Sequence, residues 1–176
     1  MDRTDASVQG LVALLGLQPH PEGGYYRELY RSDQTVPYLG AARRAATAIY
    51  YLLDGQAYSA WHRIDADEVW AFHAGSPLAL HVLTPSGDVA TTLLGDPRRH
   101  AGARFQAVVP AGCWFAAELA ARAGSRPAAD DGAADYALLG CFVAPGFEFS
   151  GFKLATAADM ADAVRRHGPW LGRLLA

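Results

Sequence analysis

Cysteine is nearly absent: two residues, Cys113 and Cys141, in a chain of 176. Both sit in apolar surroundings, "AGCWFAA" and "LLGCFVA". They read as buried free thiols of a protein kept in a reducing compartment, so a cytoplasmic location is expected. Nothing beside either thiol supports a Cys–His nucleophilic pair. Charge is also sparse, at 19% of residues, with a formal net charge of -3. The arginine pairs Arg43-Arg44, Arg98-Arg99 and Arg165-Arg166 are scattered and read as solvated surface charge, so no nucleic-acid partner is expected. No apolar run reaches the roughly eighteen residues that a membrane-spanning helix needs. The first residues, "MDRTDASVQGLVALLG", lack the basic stretch and long apolar run of a secretory signal. No repeat of fixed period and no linker interrupts the chain, and residues 1–176 read as one domain.

Apolar residues make up 51% of the chain, enough to bury a core. A helix is expected at the start. Asp5 or Ser7 caps it, Val8, Leu11, Val12, Leu14 and Leu15 recur at helical spacing, and Gly16 ends it. The period then changes to alternation. "YYRELYRS", "ATAIYYLL", "YSAWHRI", "EVWAFHA", "LALHVL", "VATTLL", "RFQAVV", "CWFAAEL" and "YALLGCFVA" each read as a strand. Asp54-Gly55 carries the signal of a hairpin turn. Many short strands at even spacing predict a β-sandwich or jelly-roll barrel. Residues 121–135, small, polar and turn-rich, read as a surface loop. Near the end, Thr156 and Asp159 fit a capping box, and Gly168-Pro169 stops a second helix.

One stretch, "WHRIDADEVWAFHAG", carries chemistry. Alternation puts His62 with Ile64 on one face, and Glu68 with Trp70 and Phe72 on another. In a barrel such faces line the interior, so His62 and Glu68 are expected to meet beside an aromatic wall. Such a pair is costly in an apolar cup unless paired or used. By the same alternation His73 faces away from Glu68, while the face of His81 is left open.

These residues resemble the cupin motifs. His62, Glu68 and Gly75 fall in register with the first motif, with Gly55 displaced by one position and Ile64 where a second His is usual. Pro110 and Gly112 match the second motif, where Phe115 replaces a His and Leu119 an Asn. Of four usual metal-ligand positions, His62 and Glu68 alone are filled. The stretches "LGLQPHPEGGYYRELYRS", "TAIYYLL", "SAWHRIDADEVWAFHAGSPL", "VVPAGCWFAAE" and "APGFEFSGFKLA" resemble one particular cupin family of unknown function. The resemblance implies an all-β double-stranded β-helix with short N- and C-terminal helices, commonly a homodimer, with His62 and Glu68 in its cavity.

Three readings of that cavity stay open. The first is a metal-free, non-redox isomerase or epimerase of a small, sugar-type metabolite, as in those cupins that epimerise nucleotide-linked sugars with a His base, a carboxylate and a Tyr acid. His62 is then the base, Glu68 its partner and Tyr51 the proton donor, with Tyr25 and Tyr136 as further donors or ligand contacts and Arg27 or Arg63 to hold an anionic group. No cofactor is expected on this reading. The second is a metal-dependent oxygenase or isomerase holding a divalent metal on His62 and Glu68, which needs a third protein ligand. The third is a non-catalytic small-ligand cup lined by Trp70, Phe72, Trp114 and Phe115, with Gln106 as a neutral hydrogen-bonder; each of the aromatics reads more readily as core. Finally, Gly23-Gly24 predicts a tight entry turn that leaves Glu22 and the neighbouring tyrosines at the cup mouth or at a partner subunit.

Overall fold

Two antiparallel sheets face one another in the computed structural model, which describes residues 7–55, 57–121, 123 and 135–176. Helix α1 (Val8–Leu15) starts where the Ser7 side chain accepts the Gly10 N–H at 3.1 Å, and it ends where Gly16 turns left-handed at φ 61. Thirteen strands follow: β1 (Gln18–Pro19), β2 (Tyr25–Arg31), β3 (Thr35–Tyr38), β4 (Ala41–Arg44), β5 (Thr47–Asp54), β6 (Tyr58–Arg63), β7 (Asp67–Gly75), β8 (Leu78–Leu83), β9 (Val89–Leu94), β10 (Gln106–Val109), β11 (Trp114–Leu119), β12 (Tyr136–Ala144) and β13 (Lys153–Leu154). A last helix, α2 (Ala157–His167), carries the expected Thr156–Asp159 capping box.

The first sheet runs β1-β2-β5-β12-β7-β10 and the second β13-β6-β11-β8-β9. This is the jelly-roll arrangement expected, with one local correction. Asp54-Gly55 closes no hairpin, because β5 pairs with β2 and β12 while β6 pairs with β11 and β13. The Asp54 side chain accepts the Ala57 N–H at 2.8 Å, and that turn carries the chain from one sheet to the other. Both flanking strands need their inner faces covered, and a corner satisfies this where a hairpin would not. The sequence also gave no sign of the β3–β4 hairpin, which is largely exposed and so lacks apolar alternation. Arg43 ties it down, donating to the Gly146 carbonyl and to the Asp65 carboxylate, each at 2.7 Å. Most of the predicted 121–135 loop lies outside the described residues.

Inner faces of the two sheets make the core, with Tyr51, Leu53, Trp70, Leu80, Phe115 and Leu139 all buried. A second cluster lies outside the second sheet. There α2 and the C-terminal turn bring Met160, Leu171 and Leu174 against Trp61 and Ala116. Strand β6 is therefore covered on both sides. No helix among the described residues is long and apolar enough to cross a membrane.

Candidate functional site

A β-bulge creates the site. Phe115 of β11 opposes His62 and Ala117 opposes Ser59, so Ala60 and Trp61 together face one residue of the partner strand. The extra residue turns Trp61 outward. It also brings Ser59 and His62 to the same inner face, which simple alternation forbids.

Both reach Glu22. This residue arrives on the turn between β1 and β2, where Gly23 (φ 114) passes so close to β6 that a Cβ there would stand 2.1 Å from the Tyr58 carbonyl. The turn is pinned by Ala60 N–H donating to the Glu22 carbonyl at 2.8 Å and Tyr51 Oη donating to the Gly23 carbonyl at 2.8 Å. Glu22 is 7% exposed. Its carboxylate lies 2.9 Å from His62 Nε2 and accepts the Ser59 hydroxyl at 2.9 Å. Glu22 was expected at the cup mouth or a partner subunit; the glycine turn instead folds it inward as the direct partner of His62.

His62 Nδ1 donates to the Ala60 carbonyl at 2.7 Å, and Nε2 faces the carboxylate, so both nitrogens carry protons. Burial opposes that charge, but the Glu22 carboxylate and the Ala60 carbonyl outweigh it and raise the His62 pKa. For Glu22, burial again opposes the charge, and His62, His20 and Ser59 together pull the carboxyl down to about 2. His20 Nδ1 accepts the Glu22 N–H at 3.3 Å, so this ring is an acceptor there, and burial lowers its pKa. Glu68 has the opposite fate. Burial pushes its carboxyl up to about 7; the His62 charge offsets part of the rise and the Glu22 carboxylate adds to it. Two buried glutamates thus hold protons of very different affinity in one chamber.

The chamber measures about 280 Å³ and lies between the sheets at one end. His62 and Ile64 enter it from the second sheet, and Tyr51, Glu68, Trp70 and Cys141 from the first. Phe147, Phe149 and Phe152, with Tyr26, wall its mouth. The Trp70 indole N–H is buried beside the Glu68 carboxyl, whose pKa it helps to hold down, but completes no full hydrogen bond among the described residues.

Tyr51, His62, Glu68 and Trp70 line this chamber; the other expected site residues do not. Phe115 packs behind the His62 ring, centroids 3.9 Å apart. Phe72, partly buried, packs against the core cluster rather than lining the chamber. Tyr25 pairs with Leu52, one step off the inward Tyr26–Tyr51 pair, and so faces outward. Tyr136 is out of step with the inward Ala137 and Leu139 of β12, and exposed Gln106 pairs with Ala71 on the outer face. Arg27 donates to the Leu15 carbonyl at 2.9 Å and Arg63 lies over the Trp114 ring, so neither guards the chamber. The Tyr51 proton is committed to a carbonyl, which suits holding the turn better than giving up a proton. Cys141 is buried as expected, but Cys113 is only half-buried. His20 and Ser59 were not found from the sequence, and Glu22 was named only at the mouth or a partner subunit; the tight "HPEGG" turn was the signal pointing to His20 and Glu22.

The usual cupin ligand positions do not make a metal site here. Among the described residues no three His, Cys, Asp or Glu side chains converge to hold an ion. Both His62 nitrogens are engaged, and the Phe115 ring fills the place of a further His. His73 is exposed, and His81 pairs with Ala116 on the outer side of β8.

A Leishmania major hypothetical protein superposes with a TM-score of 0.84 at 33% identity, over 96% of this chain and 98% of that one. A Shewanella oneidensis protein gives 0.79 at 32% identity, over 97% and 98%. Bacillus subtilis oxalate decarboxylase shares the fold alone, with a TM-score of 0.50 and 15% identity over 77% of this chain and 28% of that protein. No curated protein matches the chain. With residues 9–155 matching the family described as Cupin superfamily (DUF985), the chain belongs to that cupin family.

Proposed function

We propose that this cupin is a small-molecule enzyme that moves a proton between carbon atoms of a polar, sugar-type metabolite, as an isomerase or epimerase does. One observation carries the reading: the Glu22–His62 ion pair and the Glu68 carboxyl, poised near neutrality, face one chamber from opposite sheets. The division of labour differs from the expectation of a His62 base. His62 already holds both protons, so Glu68 is the group free to take one. Glu68 removes a proton from the carbon beside the substrate carbonyl. The Trp70 N–H and the His62 cation stabilise the oxygen that gains charge. Glu68 then returns the proton to the former carbonyl carbon while the hydroxyl proton on the adjacent oxygen passes to the oxygen that has gained charge, which completes an isomerisation. Epimerisation instead needs a proton on the opposite face of the starting carbon, where the His62 imidazolium is the donor.

Solvent exchange tests this. Reducing sugars incubated with the protein in heavy water should gain deuterium beside the carbonyl, and Glu68→Gln and His62→Ala should each slow that gain by about 10²–10⁴-fold. Full exchange in both variants would refute the assignment. A sugar that binds with no exchange in the wild type would favour the non-catalytic cup, for which the incompletely bonded Trp70 N–H is the supporting observation.

The same reading includes a second copy of the chain. Tyr30, Ala48, Phe142, Val69 and Val108 stand side by side across neighbouring strands on the outer face of the first sheet. Tyr30, Phe142 and Val108 are exposed there, at 53%, 45% and 60%. An uncharged row of this kind suits a two-fold contact in which each copy offers the same patch. Sedimentation at micromolar concentration should give a dimer for the wild type and a monomer for Phe142→Glu. A monomeric wild type would end the proposal.

A further inference from the structure

The walls of the chamber also select the charge of what enters. We infer that its substrate is an uncharged, ring-shaped polar molecule of monosaccharide size, and that phosphorylated and nucleotide-linked forms are excluded; the inference rests on the proton-transfer reading of the same chamber.

Cations decide the matter first. Binding a phosphate requires an uncommitted guanidinium or ammonium, or backbone N–H groups at a helix N-terminus. Among the described residues, Arg31 and His62 are the cationic side chains in the chamber wall, since His20 accepts a hydrogen bond at Nδ1 and burial lowers its pKa. His62 is bound to Glu22. Arg31, at the mouth, is bound more heavily still. Its Nε and Nη2 donate to Glu28 at 3.0 and 2.8 Å, and its Nη1 donates to Glu148 and to the Phe147 carbonyl, each at 3.2 Å. An anion arriving there meets two carboxylates around one satisfied guanidinium. The wall glutamates Glu22, Glu28 and Glu68 leave no positive excess in either protonation state of Glu68. The one lysine, Lys153, lies elsewhere, paired with Asp159 at 2.7 Å.

Shape and polarity agree with the charge. A volume of about 280 Å³ is at the small end for ligand chambers and holds one ring with its hydroxyls rather than a ring bearing a nucleotide. Tyr26, Phe147, Phe149 and Phe152 give the chamber an aromatic, apolar lining that suits the C–H faces of such a ring. Deeper in, the Trp70 N–H lies beside the Glu68 carboxyl without a full hydrogen bond and can still meet an acceptor. A neutral hydroxyl or carbonyl oxygen satisfies such a buried donor without bringing charge into the chamber.

Ligand-observed NMR titration of the wild-type protein with D-glucose, D-galactose, D-mannose and D-fructose, their 6-phosphates, and UDP-glucose tests the inference. At least one free hexose should bind, with its 6-phosphate at least tenfold weaker. Trp70→Phe, which keeps the ring and removes only the N–H, should weaken that hexose at least tenfold while the phosphate ester changes little. Binding by none of the free hexoses, or tighter binding of a phosphorylated or nucleotide-linked form, overturns the inference. The two readings fail separately. A bound free hexose that gains no deuterium from heavy water leaves the charge selection standing and sinks the proton transfer. Exchange on a phosphorylated sugar alone does the reverse.

Discussion

Replacing Glu22 with Gln should lower the free energy of unfolding by about 3–5 kcal/mol at pH 7, the usual cost of removing one partner from a buried ion pair. The loss falls on a connected group. His62 keeps its bond to the Ala60 carbonyl but loses the charge that holds it protonated, and Ser59 loses a charged acceptor for a neutral one. The effect has a definite pH window. The Glu22 carboxyl is lowered from 4.5 to about 2 in the folded chain, so its contribution is fully present above 4.5 and is lost as the pH falls toward 2. Urea unfolding of wild type and Glu22→Gln should therefore show a wide gap at pH 7 that closes near pH 2. A gap that is absent at pH 7, or that persists unchanged at pH 2, would show that Glu22 is not the ionised partner of His62.

Glu68→Gln should move stability the other way. Here the folded carboxyl is raised from 4.5 to about 7, so the wild type is most stable below 4.5 and loses stability as the pH rises to 7, then levels off. The difference corresponds to about 3 kcal/mol. Gln, which never ionises, avoids that loss. Above pH 8 the variant should be more stable by about that amount, and at pH 4 the two proteins should unfold alike. Thermal unfolding across this range reads the effect directly. Its sign separates a functional carboxylate from a structural one, because a residue kept for stability would not be improved upon by its own amide. With the exchange assay, the expected outcome is a variant that is sturdier at alkaline pH and inert. A variant less stable than wild type at pH 8 would contradict the buried, proton-holding state of Glu68.

How much of this was legible in the sequence depends on the range over which each signal acts. Most of the long strands could be read because alternation is local and each buries one face. The capping box at Thr156 and the left-handed Gly16 were legible for the same reason. Asp54-Gly55 was misread because a turn's residues specify a bend, not the strand that receives the chain after it. His62, Glu68 and Trp70 were placed in the chamber by counting in twos. The same counting missed Ser59, because the extra residue at Ala60–Trp61 resets the phase and nothing in "YSAWHRI" announces it. Glu22 was harder still. Its partner lies on another sheet, and a glutamate beside two glycines reads as a surface turn until Gly23 is seen pressed against Tyr58. The fold was thus written in short-range pattern, and the chemistry in contacts between distant segments.

That extra residue in β6 has a mechanical consequence. On the outer side, the Trp61 indole donates to the Leu171 carbonyl at 3.0 Å, and the Trp61 carbonyl accepts the Ala155 N–H at 2.8 Å. On the inner side, the next residue is His62. The C-terminal turn and the His62 imidazole are therefore joined through adjacent peptide units of one kinked strand, like two ends of a short rocker. A change in the tail should thus register in the spacing between His62 and Glu22, although the tail lies outside the sheet and the chamber within.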